Sequence, residues 1–359
     1  MRAAVLRNTG DEKLDVTDGI EVLDPAPGEV TIKIEATGVC HSDLSAMTGL
    51  IPQPTPAVLG HEGAGMISAV GEGVTSVAVG DHVIVAWSPP CGRCVNCTTR
   101  KAPHLCTEIQ FGAGMMPRFT EGDTPVSGMA GAGTFAEYTT MPAEAAIKIA
   151  DDVPFDIASL IGCGVTTGVG AAINTVKVKP GSSVVVFGCG GVGIAAIQGA
   201  HIAGAAEIVA VDLVDSKLEQ AKSFGATHAC TPDQLDQLKV ELTGDGFDYA
   251  FEAIGLPITM RAAFDAVRRG GTACIIGVGA MDKELSFNAF ELFFAEKSLQ
   301  GSYYGSADVR SDFTRLIKLW RAGQLDLDGM ITRRIGIEDI NEALDTMRRG
   351  ESIRTVITF

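Results

Sequence analysis

The sequence predicts an α/β protein of two domains: one is a doubly wound parallel sheet, the other is mainly β and discontinuous in the chain. Three observations carry this expectation. Strand-like and helix-like segments alternate between residues 181 and 303, the pattern of parallel strands joined by crossover helices. Short alternating segments separated by Gly and Pro fill the first 150 residues, as in an antiparallel β domain. An apolar tail, Arg354 to Phe359, follows two helical patterns and reads as packing back on the first domain. The expected boundaries are 1–165, 166–303 and 304–359, and a chain of 359 residues can fill both cores.

The elements follow in order. Glu29 to Glu35 and Asp81 to Ala86 alternate as half-buried strands do. A lobe over about 89–107 is poor in apolar anchors. Residues 107–133 have six glycines and no period; they read either as a mobile loop near the active site or as a surface insertion. Ser183 to Phe187 is a short apolar run, as expected of a buried parallel strand. A helix is expected from Val192 to about Ala203, and a strand from Glu207 to Val211 that ends at Asp212. Ser216 to Phe224 reads as a helix, and Tyr249 to Ala253 and Thr272 to Gly277 as strands. Asp312 to Ala322 and Ile337 to Arg349 read as the last helices.

Composition excludes several classes. A net charge of −16 argues against nucleic acid, whose backbone requires a positive surface. No uninterrupted apolar run approaches the length of a membrane span, and Met1 to Arg7 lacks a secretory h-region. The expectation is a cytoplasmic protein without membrane or nucleic-acid partners. Nine cysteines in a reducing compartment point to metal and not to disulfides. Six of them fall into two candidate metal sets; Cys189, Cys230 and Cys274 read as buried packing groups.

Gly188-Cys189-Gly190-Gly191-Val192-Gly193 follows a strand and opens a helix, the context of a dinucleotide-binding loop. Gly188 allows the tight turn, Gly190 lets backbone approach a pyrophosphate, and Gly193 permits close helix–sheet packing. Asp212, at the end of the next strand, would accept hydrogen bonds from the adenosine ribose and repel a 2′-phosphate, which favours NAD over NADP. The parallel-sheet domain is therefore expected to be of the Rossmann type. Lys217 lies one helical turn beyond Asp212; it either reaches the same ribose or is a solvated lysine. Cys91-x2-Cys94-x2-Cys97-x8-Cys106 supplies four thiolates and leaves no open position, the composition of a structural zinc site; an iron–sulfur cluster or a redox switch are the alternatives. Cys40, His61 and Cys163 say little one at a time. If a fold joined them, they would give zinc three ligands and an open fourth position.

Gly38-Val39-Cys40-His41-Ser42-Asp43, Gly60-His61-Glu62, the four-cysteine lobe, Gly162-Cys163-Gly164, the glycine loop with Asp212, and Ser352-Ile353-Arg354-Thr355 stand in an order and at a spacing that resemble the zinc-dependent alcohol dehydrogenases of the medium-chain dehydrogenase/reductase superfamily. The resemblance covers essentially the whole chain. It implies a GroES-like catalytic domain, NAD and two zinc ions per subunit. It implies Cys40, His61 and Cys163 as ligands of a catalytic zinc, Asp43 behind His61, and Ser42 as the hydroxyl that receives the alcohol proton. Glu62 resembles the glutamate that transiently coordinates the zinc, or it acts only as a hydrogen-bonding or electrostatic neighbour. His41 and Arg354 match contacts to the cofactor pyrophosphate. The family's proton relay often ends on a histidine where this chain has Ser45, and the cysteine lobe has one residue more before Cys106 than many members have. Trp87 and Ile51 match walls of the substrate pocket, which favours primary alcohols. The implied reaction is hydride transfer between a primary alcohol, aryl or medium-chain, and NAD, giving the aldehyde. Alternatives are a nicotinoprotein with tightly bound NAD and a thiol-dependent formaldehyde dehydrogenase. The family usually forms homodimers or homotetramers.

Overall fold

A computed structural model describes residues 1–109 and 116–359. The chain divides into two compact units: Met1–Cys163 with Asp308–Arg321 and Leu327–Phe359, and Gly164–Ala307 with Ala322–Asp326.

The first unit is built on two sheets. The smaller-stranded one orders Asp15–Thr17, Ala3–Leu6, Ala57–Val58, Thr124–Gly128, Pro117–Glu121 and Glu21–Val22. The other is centred on the long strand Glu29–Val39, which pairs antiparallel with Glu62–Val70, Tyr138–Pro142 and the C-terminal strand Arg354–Thr358. Alternation explains that central strand: Val30, Ile32 and Ile34 are fully buried and form one apolar cluster with Ile67, Val83 and Val85. The strand runs four residues past the expected end at Glu35, because Ala36 to Val39 are enclosed between neighbours on both sides. The C-terminal strand aligns Val356 with Gly38, and Gly38 in turn aligns with Glu62. This register sets three distant segments side by side at one place in the sheet.

Part of the 107–133 segment departs from the loop expectation. Pro117–Glu121 and Thr124–Gly128 form an antiparallel hairpin, with Phe119 opposite Val126 and both fully buried. Three-residue gaps between Gly and Pro hide a two-residue period in the sequence, while burial of one cross-strand pair is enough to fix the strands. Residues 110–115 of that segment lie outside the described residues.

The second unit holds six parallel strands in the order His228–Cys230, Glu207–Val211, Ser183–Phe187, Phe247–Glu252, Val267–Ile275 and Ser298–Gly301. This is the doubly wound α/β arrangement expected from the sequence. Strand order reverses at Ser183–Phe187, so the crevice for a dinucleotide lies at its carboxyl end. The helix Gly191–Ile202 follows that end directly.

Phe155–Thr175 form a 21-residue helical stretch that contains an 18-residue window of mean hydropathy 1.5. This apolar run is longer than the sequence reading recognised. Of that window 83% is buried, as in the core helix of a globular protein. Two turns of it, Ile161–Val165 and Ala171–Thr175, are π-helical.

Replacing Phe119 by alanine removes a ring with no exposed surface and is expected to cost about 3–5 kcal/mol. Thermal denaturation should show a midpoint several degrees lower; an unchanged midpoint would contradict the packing described.

Candidate functional site

The first cluster is assembled by one buried carboxylate. Asp43, with no exposed surface, sits in the first turn of the helix His41–Met47. Its Oδ2 accepts the amide of Cys40 at 2.8 Å, and its Oδ1 accepts the amide of Gly60 at 3.1 Å. Nδ1 of His61 lies 3.3 Å from the same Oδ1. A carboxylate beside Nδ1 favours a proton there, which leaves Nε2 as the nitrogen a metal could take. Nε2 is buried and has no hydrogen-bond partner of ordinary geometry among the described residues. One ligand atom from each of Cys40, His61, Glu62 and Cys163 falls within 4.8 Å of the others. Cys163 reaches this group from the π-helical turn Ile161–Val165.

Glu62 shares the cluster but faces a cation of the chain. Arg354 Nη2 lies 3.1 Å from Glu62 Oε1, and Arg354 Nη1 donates to the carbonyl of Val39 at 3.4 Å. The register described above makes this contact across 292 positions of sequence. Gly38 is its cradle: a Cβ there would lie 2.2 Å from Glu62 Oε2. Burial pushes the Glu62 carboxyl up to about 7 and the Arg354 guanidinium opposes that rise. The thiol of Cys163 hydrogen-bonds to Cys40, which lowers Cys40 and raises Cys163; His61 and Arg354 lower Cys40 further. Burial disfavours the charged His61, but the Asp43 carboxylate outweighs it and raises the imidazole.

Two sulfurs and one imidazole nitrogen are donors that zinc takes, and here they are buried within 4.8 Å of one another. The residues present fit a three-ligand zinc site with Glu62 alongside. Ser42 Oγ lies 3.8 Å from Cys40 Sγ. The Trp87 ring stands perpendicular to the His61 ring with centroids 6.4 Å apart. His41 is exposed at the start of the helix. Ile51 is half-buried just after that helix, its amide bonded to the carbonyl of Ser45 at 3.0 Å.

The second cluster is Cys91, Cys94, Cys97 and Cys106, whose sulfurs also lie within 4.8 Å of one another. Cys94 Sγ is 3.5 Å from Cys97 Sγ and 3.9 Å from Cys106 Sγ. A tetrahedral zinc with bonds of about 2.3 Å has sulfur–sulfur edges of about 3.8 Å. Backbone amides point at the sulfurs: Cys94 and Arg93 donate to Cys91, and Cys91 donates to Cys106. Burial pushes the Cys91 thiol up, but the amides of Arg93 and Cys94 prevail and bring it down to about 7. Such donors favour thiolate and hence metal.

In the second unit, Gly188 has φ +92°, and a Cβ on Gly193 would lie 1.8 Å from the Gly188 carbonyl oxygen. A Cβ on Gly190 would meet nothing within 4 Å, so its backbone stands open to a ligand. Gly191, Val192 and Gly193 form the first turn of the helix, whose amides suit a phosphate. Asp212 closes the loop from the next strand: its carboxylate accepts the amides of Cys189 at 2.8 Å and Val214 at 3.1 Å. Lys217 is half-buried two residues into the following helix and close enough to act on the Cys189 thiol. These features fit a dinucleotide with a free ribose diol.

Comparison with known proteins agrees with this geometry. Residues 26–151 match the alcohol dehydrogenase GroES-like domain, and residues 191–321 match the zinc-binding dehydrogenase family. An S-(hydroxymethyl)glutathione dehydrogenase of Paracoccus denitrificans is 40% identical over 376 aligned residues, covering 100% of this chain and 99% of that protein. The chain belongs to the zinc-dependent alcohol dehydrogenases. An alcohol dehydrogenase class-3 of Cereibacter sphaeroides is 41% identical over the same shares of both chains. The crystal structure of a benzyl alcohol dehydrogenase from Acinetobacter calcoaceticus superposes with a TM-score of 0.92 at 33% identity, covering 100% of this chain and 99% of that one. Members of the medium-chain superfamily of this kind use NAD and zinc, so this dehydrogenase has both groups in its chemistry.

The sequence reading missed that Arg354 pairs with Glu62; only strand register reveals it. It also missed Gly38, whose signal is a glycine inside a strand pattern, a mark of close approach.

Asp43→Asn keeps the shape but weakens the hold on His61, and zinc affinity should fall by about 10–100-fold. Competition with a chromophoric chelator measures this; parental affinity would contradict the role given to Asp43. Cys97→Ser should reduce bound zinc from two ions per chain to one by elemental analysis, and retention of both would contradict the four-thiolate assignment.

Proposed function

We propose that this dehydrogenase interconverts primary alcohols, aryl or medium-chain, and their aldehydes with NAD. The observation that supports this reading is the Trp87 ring standing perpendicular to that of His61, with centroids 6.4 Å apart; a large ring that close to a metal donor would narrow the space beside it. A narrowed site admits one substituent on the reacting carbon more readily than two. An S-hydroxymethyl thiol is itself a primary alcohol, so the reading accommodates the substrate named for the Paracoccus relative as well as that named for the Acinetobacter structure.

The roles proposed for the residues follow from their positions. Cys40, His61 and Cys163 hold one zinc, and Cys91, Cys94, Cys97 and Cys106 hold the other. The first zinc, when bound, supplies Lewis-acid stabilisation of developing negative charge on the substrate oxygen, and NAD accepts the hydride. Ser42 takes the alcohol proton, since its hydroxyl lies 3.8 Å from Cys40 Sγ. Ser45 cannot hold that proton near pH 7 as an imidazole would, so release uses water, another residue or a shorter relay. Asp43 orients His61. Glu62, paired with Arg354, supplies negative charge beside the metal donors and is the candidate for transient coordination. Gly188, Gly190, Gly191, Val192 and Gly193 receive the pyrophosphate, Asp212 and Lys217 the adenosine ribose, and His41 and Arg354 neutralise phosphate charge. Trp87 and Ile51 shape the substrate wall.

A homodimer is the proposed assembly. Phe290, Phe293 and Phe294 are 66%, 79% and 54% exposed, and the edge strand Ser298–Gly301 beside them has every residue exposed. An open strand edge with an apolar helix is a surface a second copy can cover.

Turnover of benzyl alcohol, 1-octanol and S-(hydroxymethyl)glutathione against secondary alcohols, read at the reduced nicotinamide absorbance, tests the substrate class. Primary alcohols should lead; faster secondary alcohols would contradict the reading. Cys163→Ser should lower kcat by about a thousandfold or more, and parental turnover in a variant shown to lack that zinc would refute the assignment.

A further inference from the structure

The four-cysteine lobe has a charged neighbour from a distant part of the chain. Arg310 lies in the first turn of the helix Val309–Arg321, which belongs to the same compact unit as the lobe. Gly92 stands between Cys91 and Arg93, in a turn with φ +74°. A Cβ there would lie 3.6 Å from Arg310 Nη1. The guanidinium therefore rests on the backbone that joins Cys91 to Cys94. The same glycine serves a third candidate ligand: burial pushes the Cys97 thiol up to about 12, and the Gly92 amide opposes that rise.

Arg310 is held in this pose by Asp308. Nε donates to Asp308 Oδ1 at 2.9 Å and Nη2 to Oδ2 at 3.0 Å, and the Arg310 amide donates to Oδ1 at 3.3 Å. The fork occupies one edge of the planar guanidinium and leaves Nη1 for the lobe. Asp308, first through these hydrogen bonds, outweighs burial and holds the guanidinium above its ordinary range; charge on Cys97 and Cys91 adds to that hold.

Electrostatics gives the contact a consequence. Four thiolates around one Zn²⁺ leave a net charge of about −2. The lobe's own cations are Arg93, Arg100 and Lys101, and Arg100 Nη1 donates to Asn96 Oδ1 at 3.0 Å. A cation beside thiolates favours them over thiols, and a site that keeps its thiolates keeps its metal against protons.

We propose that Arg310, aimed by Asp308, is a counter-charge for the four-thiolate zinc site and slows loss of the metal from the lobe. The inference rests on the reading of Cys91, Cys94, Cys97 and Cys106 as zinc ligands. The Arg310 side chain is 49% exposed, so replacing it leaves the core intact and the effect is modest.

The test follows metal loss residue by residue. The zinc-loaded full chain is mixed with excess chelator and iodoacetamide, and alkylation of each cysteine is timed by mass spectrometry at low salt and at about 1 M salt, where the Debye length is about 3 Å. Arg310→Gln should speed alkylation of the four lobe cysteines by about threefold at low salt, and the difference from the parent should vanish at high salt. Arg310→Lys keeps the charge and should stay closer to the parent than to Arg310→Gln. Cys40 and Cys163 should react at parental rates in both variants. A parental rate for the lobe in Arg310→Gln, a difference that persists at high salt, a lysine variant as fast as the glutamine one, or equal acceleration at Cys40 and Cys163 would overturn the proposal. Lobe cysteines that are alkylated at once in the parent, with Cys40 and Cys163 protected, would show that the lobe holds no zinc; the reading beneath the inference then fails as well. A protected lobe that ignores Arg310→Gln refutes the inference alone.

Discussion

The carboxylate of Asp43 holds the candidate metal cluster together. It binds the amide that precedes the helix His41–Met47, the amide that precedes His61, and His61 itself. One buried negative charge thereby fixes two candidate ligands and sets which imidazole nitrogen faces the thiols. A buried charge is expensive unless its oxygens are used, and here both are. The chemistry asked of Cys40 and His61 is therefore prepared before any ion arrives.

A second buried charge pair, Glu62 with Arg354, closes the opposite side of the cluster. It depends on sheet register and not on local sequence. The C-terminal strand joins the long Glu29–Val39 strand next to Glu62–Val70, and Gly38 leaves the volume that the Glu62 carboxylate fills. The discontinuity of the first unit is thus chemically useful: the last residues of the chain bring a guanidinium to the metal donors. That cation offsets carboxylate and thiolate charge in a place where water cannot.

Much of this was legible in the sequence, for a physical reason. Candidate metal donors and turns open to a phosphate are set by residue type at fixed spacing, so Cys91 to Cys106, Gly188 to Gly193 and Asp212 stand out locally as candidates, and the four sulfurs do lie within 4.8 Å of one another. The parallel strands were legible because burial on both faces makes them continuous apolar runs, as at Ser183–Phe187. The hairpin at Pro117–Glu121 and Thr124–Gly128 was not, since Gly and Pro interrupt its alternation and its core contact is one pair, Phe119 with Val126. Arg354 stands out in the sequence as a candidate cofactor contact but not as the partner of Glu62, because register couples positions that share no local pattern. The π-helical turn that carries Cys163 was hidden as well, since a wider turn differs from an α-helix by one hydrogen-bond step and leaves no compositional mark.

Anomalous diffraction at the zinc absorption edge tests the central claim most directly. The account predicts a peak bounded by Cys40 Sγ, His61 Nε2 and Cys163 Sγ, at about 2.3 Å from the sulfurs and about 2.1 Å from the nitrogen. A zinc-replete crystal with no peak among those three atoms, or with the metal held by other side chains, would contradict it.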